Sequence, residues 1–510
     1  MQEDTMSEKF SRRDAIRWAG HLSMASTFLP IAGRYRVWSH PAEANKLLTR
    51  PLGRTGREVT TFGLAGGNKV MWDLPGDEGV AIVVKAVRAG ITYLETANNY
   101  QLSQLNYHKA FRILNLIPGE PGYDAALRGR LFLATKTGLR STVVRDGSKP
   151  LGHSAGGGST CVDDLKRALS QFFGDGKGYI PDGAYLDLLQ IHALSQESEV
   201  EAIFEGLENP EDRSLPRIGA LAGLIDFRDG TNRTGANPEH KKYIRHIGIT
   251  GHENPTVHMY AMRRDRHNHL ETLLVALNPN DRHYFCHQNN SVPVAAAKGM
   301  GIIGMKIFAD GAMWGLEKKY AGRPGQSVLS VGQPGKVPYQ DFLHYTLSIP
   351  GVSTLITGIG LTDPNNDPSR DQIVANLAAC QMRDPVPEAR RREIEGRVAS
   401  LHGTDTNFFQ RPSSGLLAPG TVRAERVSKS EVKVSWSTAY AGSEALARYE
   451  IYRRDEKIGT VPFAPQLSED LFVLTDTAAP AGHPGGLYYK VRAVDAAGNQ
   501  TDSISVKANG

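Results

Sequence analysis

Short apolar runs separated by helix-like or turn-rich segments recur along most of this chain. That alternation limits what it can fold into more than any other feature. Eight runs read as strands: 59–64, 92–94, 131–135, 186–191, 246–250, 273–277, 301–306 and 353–357. Helical spacing is clear over 77–89, where Val80, Val83, Val84 and Val87 share a face, and helices are also read at 161–172, 199–206, 290–298, 338–347 and 371–379. Eight strands alternating with helices over about 350 residues predict an α/β fold, a (β/α)8 TIM barrel with insertions. Such a barrel displays its site where the parallel strands end. Three of the runs stop at residues able to do acid–base chemistry. One ends at Glu95, with Tyr100 five residues later; the next two end at Lys136 and His192.

Three connections exceed the usual few residues: 174–183, 209–237 and 313–337. The third begins on the strand-end face, so Trp314 is expected to shape a substrate pocket, as is Trp72 after the first strand.

The 510 residues predict more than one domain. After a turn-rich linker at 403–419 the pattern changes to strands alone. Val432, Val434 and Trp436 alternate with polar residues, as do Tyr449 and Ile451, then Tyr489, Val491 and Ala493. The segment 420–510, with a Trp in an early strand and no cysteine pair, resembles a fibronectin type III domain, a small all-β sandwich. Such a module implies contact with a surface or a glycan.

At the other end, Ser11-Arg12-Arg13-Asp14-Ala15-Ile16-Arg17 resembles a twin-arginine signal, although Ala15 stands where that pattern prefers a large apolar residue. A mildly apolar stretch and the small-x-small triplet Ala42-Glu43-Ala44 follow, so 1–44 is read as a signal peptide and 45–402 as the barrel. Export by the twin-arginine route, to the periplasm or beyond, is the expectation. No run of 18 apolar residues predicts a membrane span. A formal charge of +5 without a Lys/Arg block gives no ground for nucleic-acid binding. Cys161, Cys286 and Cys380 are too scattered for a disulfide scaffold or a local metal cluster.

The ordered motifs resemble those of the aldo-keto reductases over residues 48–400. Leu52-Gly53-Arg54-Thr55-Gly56 and Gly63-Leu64-Ala65-Gly66-Gly67 are similar to the family's opening, and Glu95-Thr96-Ala97-Asn98-Asn99-Tyr100 to its Asp-Thr-Ala-x-x-Tyr segment. Thr135-Lys136 and Leu186-Asp187-Leu188-Leu189-Gln190-Ile191-His192 are similar to its next two signatures. Gly248-Ile249-Thr250-Gly251 stands where the family has Gly-x-Ser-Asn, and 299–306 with Gly358, Gln372 and Asn376 is similar to its cofactor end.

The resemblance implies hydride transfer between a nicotinamide cofactor and a carbonyl or hydroxyl substrate, which is a small molecule and could be a sugar. Tyr100 would be the proton donor, Lys136 the cation that lowers its pKa, Glu95 the carboxylate that holds Lys136 protonated, and His192 the group that orients the carbonyl. Thr250 and Gly251 would face the carboxamide, Lys306 and Gly311 the pyrophosphate, and Gly358, Gln372 and Asn376 the adenosine. NADP(H) is implied before NAD(H); Arg370 is a candidate for the 2′-phosphate or a surface arginine. His283, His287 and His252 would be polar pocket groups, and no metal is expected. The chain departs from the family at Glu95 (for Asp), Gln101 (for Gly), Gln104 (for Glu) and Gly251 (for Asn). Glu95, Gln101 and Gly251 keep a second reading open, a catalytically weakened barrel that serves as a surface or glycan-binding scaffold.

Overall fold

The computed structural model of the protein describes residues 47–509, apart from 73–77, 154, 315–336, 361, 407–409, 414 and 482–485. The side chains of 69, 311, 312 and 314 are also outside the description. The expected signal peptide, the side chain of Trp314 and most of the connection 313–337 therefore lie beyond the described residues.

Eight parallel strands close into a barrel: β1 (Phe62–Ala65), β2 (Tyr93–Glu95), β3 (Phe132–Thr137), β4 (Leu186–Ile191), β5 (Ile244–Gly251), β6 (Thr272–Ala276), β7 (Gly301–Met305) and β8 (Val352–Gly358). Each pairs with its neighbours in chain order, and β8 closes on β1 through Leu355↔Phe62. The period-two pleat sorts their side chains. Tyr93, Phe132, Ala134, Leu188, Leu274, Ile303 and Ile356 fill the interior, while Leu94, Leu133, Leu189, Ile247, Ile249, Leu273 and Leu355 join the core shared with the helices. Stepping along each strand by two from Tyr93, Ala134 and Leu188 leads to Glu95, Lys136 and then Gln190 and His192. The three strand ends thus point into one barrel mouth.

The run 59–64, expected as one strand, is two. Glu58–Thr60 pairs antiparallel with Thr49–Pro51, and the chain then turns at Thr61 into β1. This hairpin plugs the amino-terminal end of the barrel, with Leu52 and Val59 in the interior cluster. At its turn Gly53 adopts φ +52°, and a Cβ there would lie 2.1 Å from the Gly301 nitrogen, so only glycine fits.

The connection 209–237 is also not the loop expected. It holds a short strand, Arg217–Gly219, paired with Ser141–Val144, and the helix Ala220–Asp229, which buries Leu221, Leu224 and Phe227. That i, i+3, i+6 spacing is helical, but Gly223 in its centre weakens the signal. Helices at Ser103–Ile113, Pro255–Arg264 and Glu388–His402 were likewise not evident from the sequence, because polar residues interrupt their apolar faces. The helix read at 161–172 forms as Cys161–Phe173, started by a capping box between Thr160 and Asp163.

Beyond the barrel lie two antiparallel sheets. Strands Arg423–Arg426, Val432–Trp436 and Phe472–Asp476 form one; Glu456–Pro462, Leu446–Arg453, Tyr488–Asp495 and Gln500–Asp502 form the other, joined by Val506–Lys507. Trp436, Val434, Tyr449, Tyr489 and Val491 share a single core between them. Barrel and sheets belong to one compact unit, Leu47–Gly510. The loop after β6 holds them together. The Arg282 guanidinium donates to the Ser443 carbonyl (2.9 Å) and pairs with Glu444 (3.1 Å). The Asn290 amide donates to the Ala441 carbonyl (3.0 Å) and accepts from the Ala441 amide (2.9 Å).

Candidate active site

β2 delivers Glu95 into the barrel mouth, almost fully buried, and the turn that follows carries Tyr100. The Tyr100 ring needs the space left by Gly67, where a Cβ would come within 2.9 Å of its Cε2. β3 places Lys136 beneath that ring, its Nζ 4.7 Å from the ring centroid and 3.5 Å from the hydroxyl oxygen. The ammonium also donates to the Thr96 carbonyl (3.0 Å) and touches the Glu95 carboxylate. After β4, the half-buried His192 meets Tyr100 edge-on, ring centroids 5.9 Å apart and planes at 80°. Trp72 covers another side of Tyr100 at 5.1 Å and donates through Nε1 to the Gly66 carbonyl (3.0 Å).

The electrostatics follow from this packing. Burial, aided by the Lys306 charge, pushes the Lys136 pKa well below its ordinary value. The Glu95 carboxylate in contact opposes that shift. Burial holds His192 well below the ordinary histidine value, with Lys136, His252, Arg140 and Lys306 adding to the effect, so its imidazole is neutral at pH 7. His252 is pushed down to about 3 by burial and by Lys306 and Lys136. The mouth thus holds one buried lysine–carboxylate pair, a tyrosine hydroxyl and a neutral imidazole.

The residues that differ from the aldo-keto pattern have local accounts. Glu95 reaches Lys136 despite its extra methylene. Gln101 sits at φ +39°, a conformation that favours glycine. Gln104 donates to the Thr135 hydroxyl (2.8 Å). A Cβ on Gly251 would lie 2.1 Å from the His258 ring, so this buried histidine occupies the space of a side chain there.

Among the other expected site residues, the Thr250 hydroxyl accepts from the Ala193 amide (2.9 Å) and so helps hold the turn after His192. Lys306 adopts φ +58°, and its Nζ pairs with Asp310 at 3.0 Å. Gly311 lies in the following 3-10 turn, Ala309–Trp314. Gly358 ends β8 exposed. The Gln372 side chain accepts from the Gly360 amide (2.6 Å), and the Asn376 amide donates to the Thr357 hydroxyl (3.1 Å). Arg370 is exposed.

His287 is buried, with Nδ1 2.8 Å from the Ser291 hydroxyl and Nε2 3.2 Å from the His252 carbonyl. His283 does not join this group. It is exposed, in a short 3-10 turn, and its carbonyl accepts from the Ser413 amide (3.4 Å). Among the described residues, no cluster of three His, Cys, Asp or Glu is placed to hold a metal. Sequence reasoning missed His258 and the pairing of buried Arg140 with half-buried Glu199, whose contacts cross 59 residues of chain and leave no local pattern.

A closed parallel barrel thus gathers a tyrosine, a buried lysine–carboxylate pair and a histidine, groups able to do acid–base chemistry, at its strand ends. The aldo/keto reductase family profile matches residues 61–327, and the chain belongs to that family, an oxidoreductase of aldo-keto reductase type. Similar solved structures include an aldo-keto reductase of Pseudomonas aeruginosa (18% identity, 66% of this chain and 95% of that one, TM-score 0.39). Another is an aldo/keto reductase of Klebsiella pneumoniae solved with NADP and acetate (14% identity, 69% and 95%, TM-score 0.40). No curated protein sequence matches the chain.

Proposed function

We propose that this protein interconverts a carbonyl and an alcohol with NADP(H), in preference to NAD(H), and that Tyr100 is the proton donor. The observation that carries this reading is the Tyr100 hydroxyl 3.5 Å from an ammonium that is itself in contact with Glu95. A tyrosine of ordinary pKa is a weak acid at pH 7. A cation at this distance stabilises the phenolate and makes the proton easier to give. Glu95 keeps that cation charged against the burial that would neutralise it. His192, neutral and edge-on to Tyr100, orients the substrate oxygen by a hydrogen bond.

The donor set fits a dinucleotide laid across the strand ends. The Thr250 hydroxyl lies at the end of β5, the Lys306 ammonium just after β7, and the Gln372 and Asn376 amides after β8, and the exposed Gly358 leaves the β8 end without a side chain. When bound, the nicotinamide supplies or accepts the hydride. Trp72 beside Tyr100 offers an aromatic face, which supports a sugar as substrate.

The proposal extends to the ends of the chain. The twin-arginine pattern supports export, and a dinucleotide bound before export and retained would then serve a redox-neutral cycle. The two antiparallel sheets around Trp436 support a fibronectin type III-like module that places the enzyme at a surface or glycan. Extraction of the natively purified protein followed by mass spectrometry tests the retained cofactor: NADP(H) in the extract is expected. A protein that carries no dinucleotide and binds none on addition would end the reading.

A further inference from the structure

Beyond the groups that touch substrate, the structure assigns a positioning role to Arg140. It fixes the turn that presents His192 and sets a permanent positive charge behind the imidazole. This rests on the reading of His192 as the group that orients the carbonyl.

Arg140 leaves the barrel just after β3 and is almost wholly buried. Its backbone is tied on both sides, donating to the Leu151 carbonyl (3.0 Å) and accepting from the Ala220 amide (2.9 Å). The guanidinium donates to three carbonyls, those of Gly138 (3.1 Å), His192 (2.8 Å) and Ala193 (3.4 Å). It also grips one oxygen of Glu199 from Nε (3.1 Å) and Nη2 (2.7 Å). The other Glu199 oxygen accepts from the Ser195 amide (2.8 Å), the Ser195 hydroxyl (3.1 Å) and the Gln196 amide (3.2 Å). One ion pair therefore ties the strand-end turn 192–196 to the loop after β3.

That turn needs holding. Ala193 lies at φ +52°, a left-handed conformation that an alanine adopts only when its surroundings hold it there. Thr250 secures it from β5 through the Ala193 and Leu194 amides, and Arg140 secures it from β3 through the carbonyls. The imidazole is faced by Lys136 from β3, Tyr100 after β2, His252 after β5, Lys306 after β7 and Arg140 itself. Arg140 also grips the backbone of His192. A ring held neutral can accept a proton or donate one hydrogen bond according to its tautomer. An imidazolium would compete with Tyr100 as the acid.

The test is the titration of His192 in the full chain, followed by NMR of 13Cε1-labelled histidine, with His192→Gln to assign the signal. Arg140→Met is expected to raise the midpoint by roughly half to one pH unit, because one repelling cation is gone. Glu199→Gln, which leaves that cation less compensated, is expected to move it the other way. Arg140→Lys should keep the wild-type midpoint yet lose about tenfold or more in NADPH-dependent turnover of an aldehyde substrate, since a lysine cannot reproduce the fork. An unmoved midpoint in Arg140→Met, or a shift of the same sign in Glu199→Gln, overturns the assignment. If Arg140→Met does not fold, the sign in Glu199→Gln and the constancy in Arg140→Lys decide the matter. A wild-type protein without turnover sinks the reductase reading, but the titration still reports on Arg140, so the two failures are distinguishable.

Discussion

The two ends of this barrel each bury a charged group, and they use it differently. At the amino-terminal end, Asp187 accepts from Arg128 (2.8 Å) and from the Leu133 amide (3.0 Å), and lies 3.4 and 3.5 Å from Arg57 and Arg245. Arg128 and Arg245 stack on Tyr185 at 4.0 and 3.8 Å. Asp187 and Arg128 there are enclosed by protein partners, and Arg57 and Arg245 approach them from the rim. At the carboxy-terminal end, Glu95 and Lys136 are just as buried, but the lysine reaches toward a half-buried tyrosine that opens to the barrel mouth. Burial of an ion pair therefore does not by itself mark a site; on the proposed reading, the contact of a buried pair with the accessible Tyr100 hydroxyl does.

The contrast yields separable outcomes. Breaking the closed cluster should cost stability and spare chemistry. Asp187→Ala leaves the buried Arg128 without its carboxylate, and a loss of about 3–5 kcal/mol in urea unfolding is expected, with kcat per folded molecule within about twofold of wild type. Equal loss of kcat would erase the distinction between the two ends.

Breaking the open pair should do the reverse. In Glu95→Gln the carboxylate that opposes the burial of Lys136 is gone, so the lysine gives up its proton at lower pH. We expect kcat to fall about 100-fold at pH 7 and its alkaline limb to move to lower pH, read from the pH–rate profile. An unmoved limb would detach Glu95 from Lys136.

A smaller effect sharpens the account of the turn beside Tyr100. Gln101 holds φ +39°, so Gln101→Gly should stabilise the fold by up to about 1 kcal/mol, measured by chemical denaturation. A destabilised variant would mean that the side chain contributes more than its backbone conformation costs.

Much of this was legible in the sequence because it is local or periodic. The period-two strands carry their apolar residues inward, and the same period brings Glu95, Lys136 and His192 to one mouth. The identity of residue 251 was legible, but its reason was not: the space beside Gly251 is filled by His258, from the helix that follows β5. Arg140 and Glu199 were hidden for a related reason, since both would pass as surface residues until the fold closes the turn between them. The amide and guanidinium contacts from Arg282 and Asn290 to the residues 441–444 were equally silent, because a sequence gives the linker and not where the module beyond it docks. His283 follows the end of β6 and so reads as a pocket group, but the short helical turn at Asp281–His283 leaves it exposed instead.

The central claim is that Tyr100 gives the proton. The most direct measurement is single-turnover oxidation of bound NADPH by an aldehyde in Tyr100→Phe, with NADPH affinity measured alongside by fluorescence titration. The account predicts a rate lower by about 100-fold or more with NADPH affinity within about threefold of wild type. A Tyr100→Phe protein that binds NADPH and turns over at the wild-type rate would contradict it.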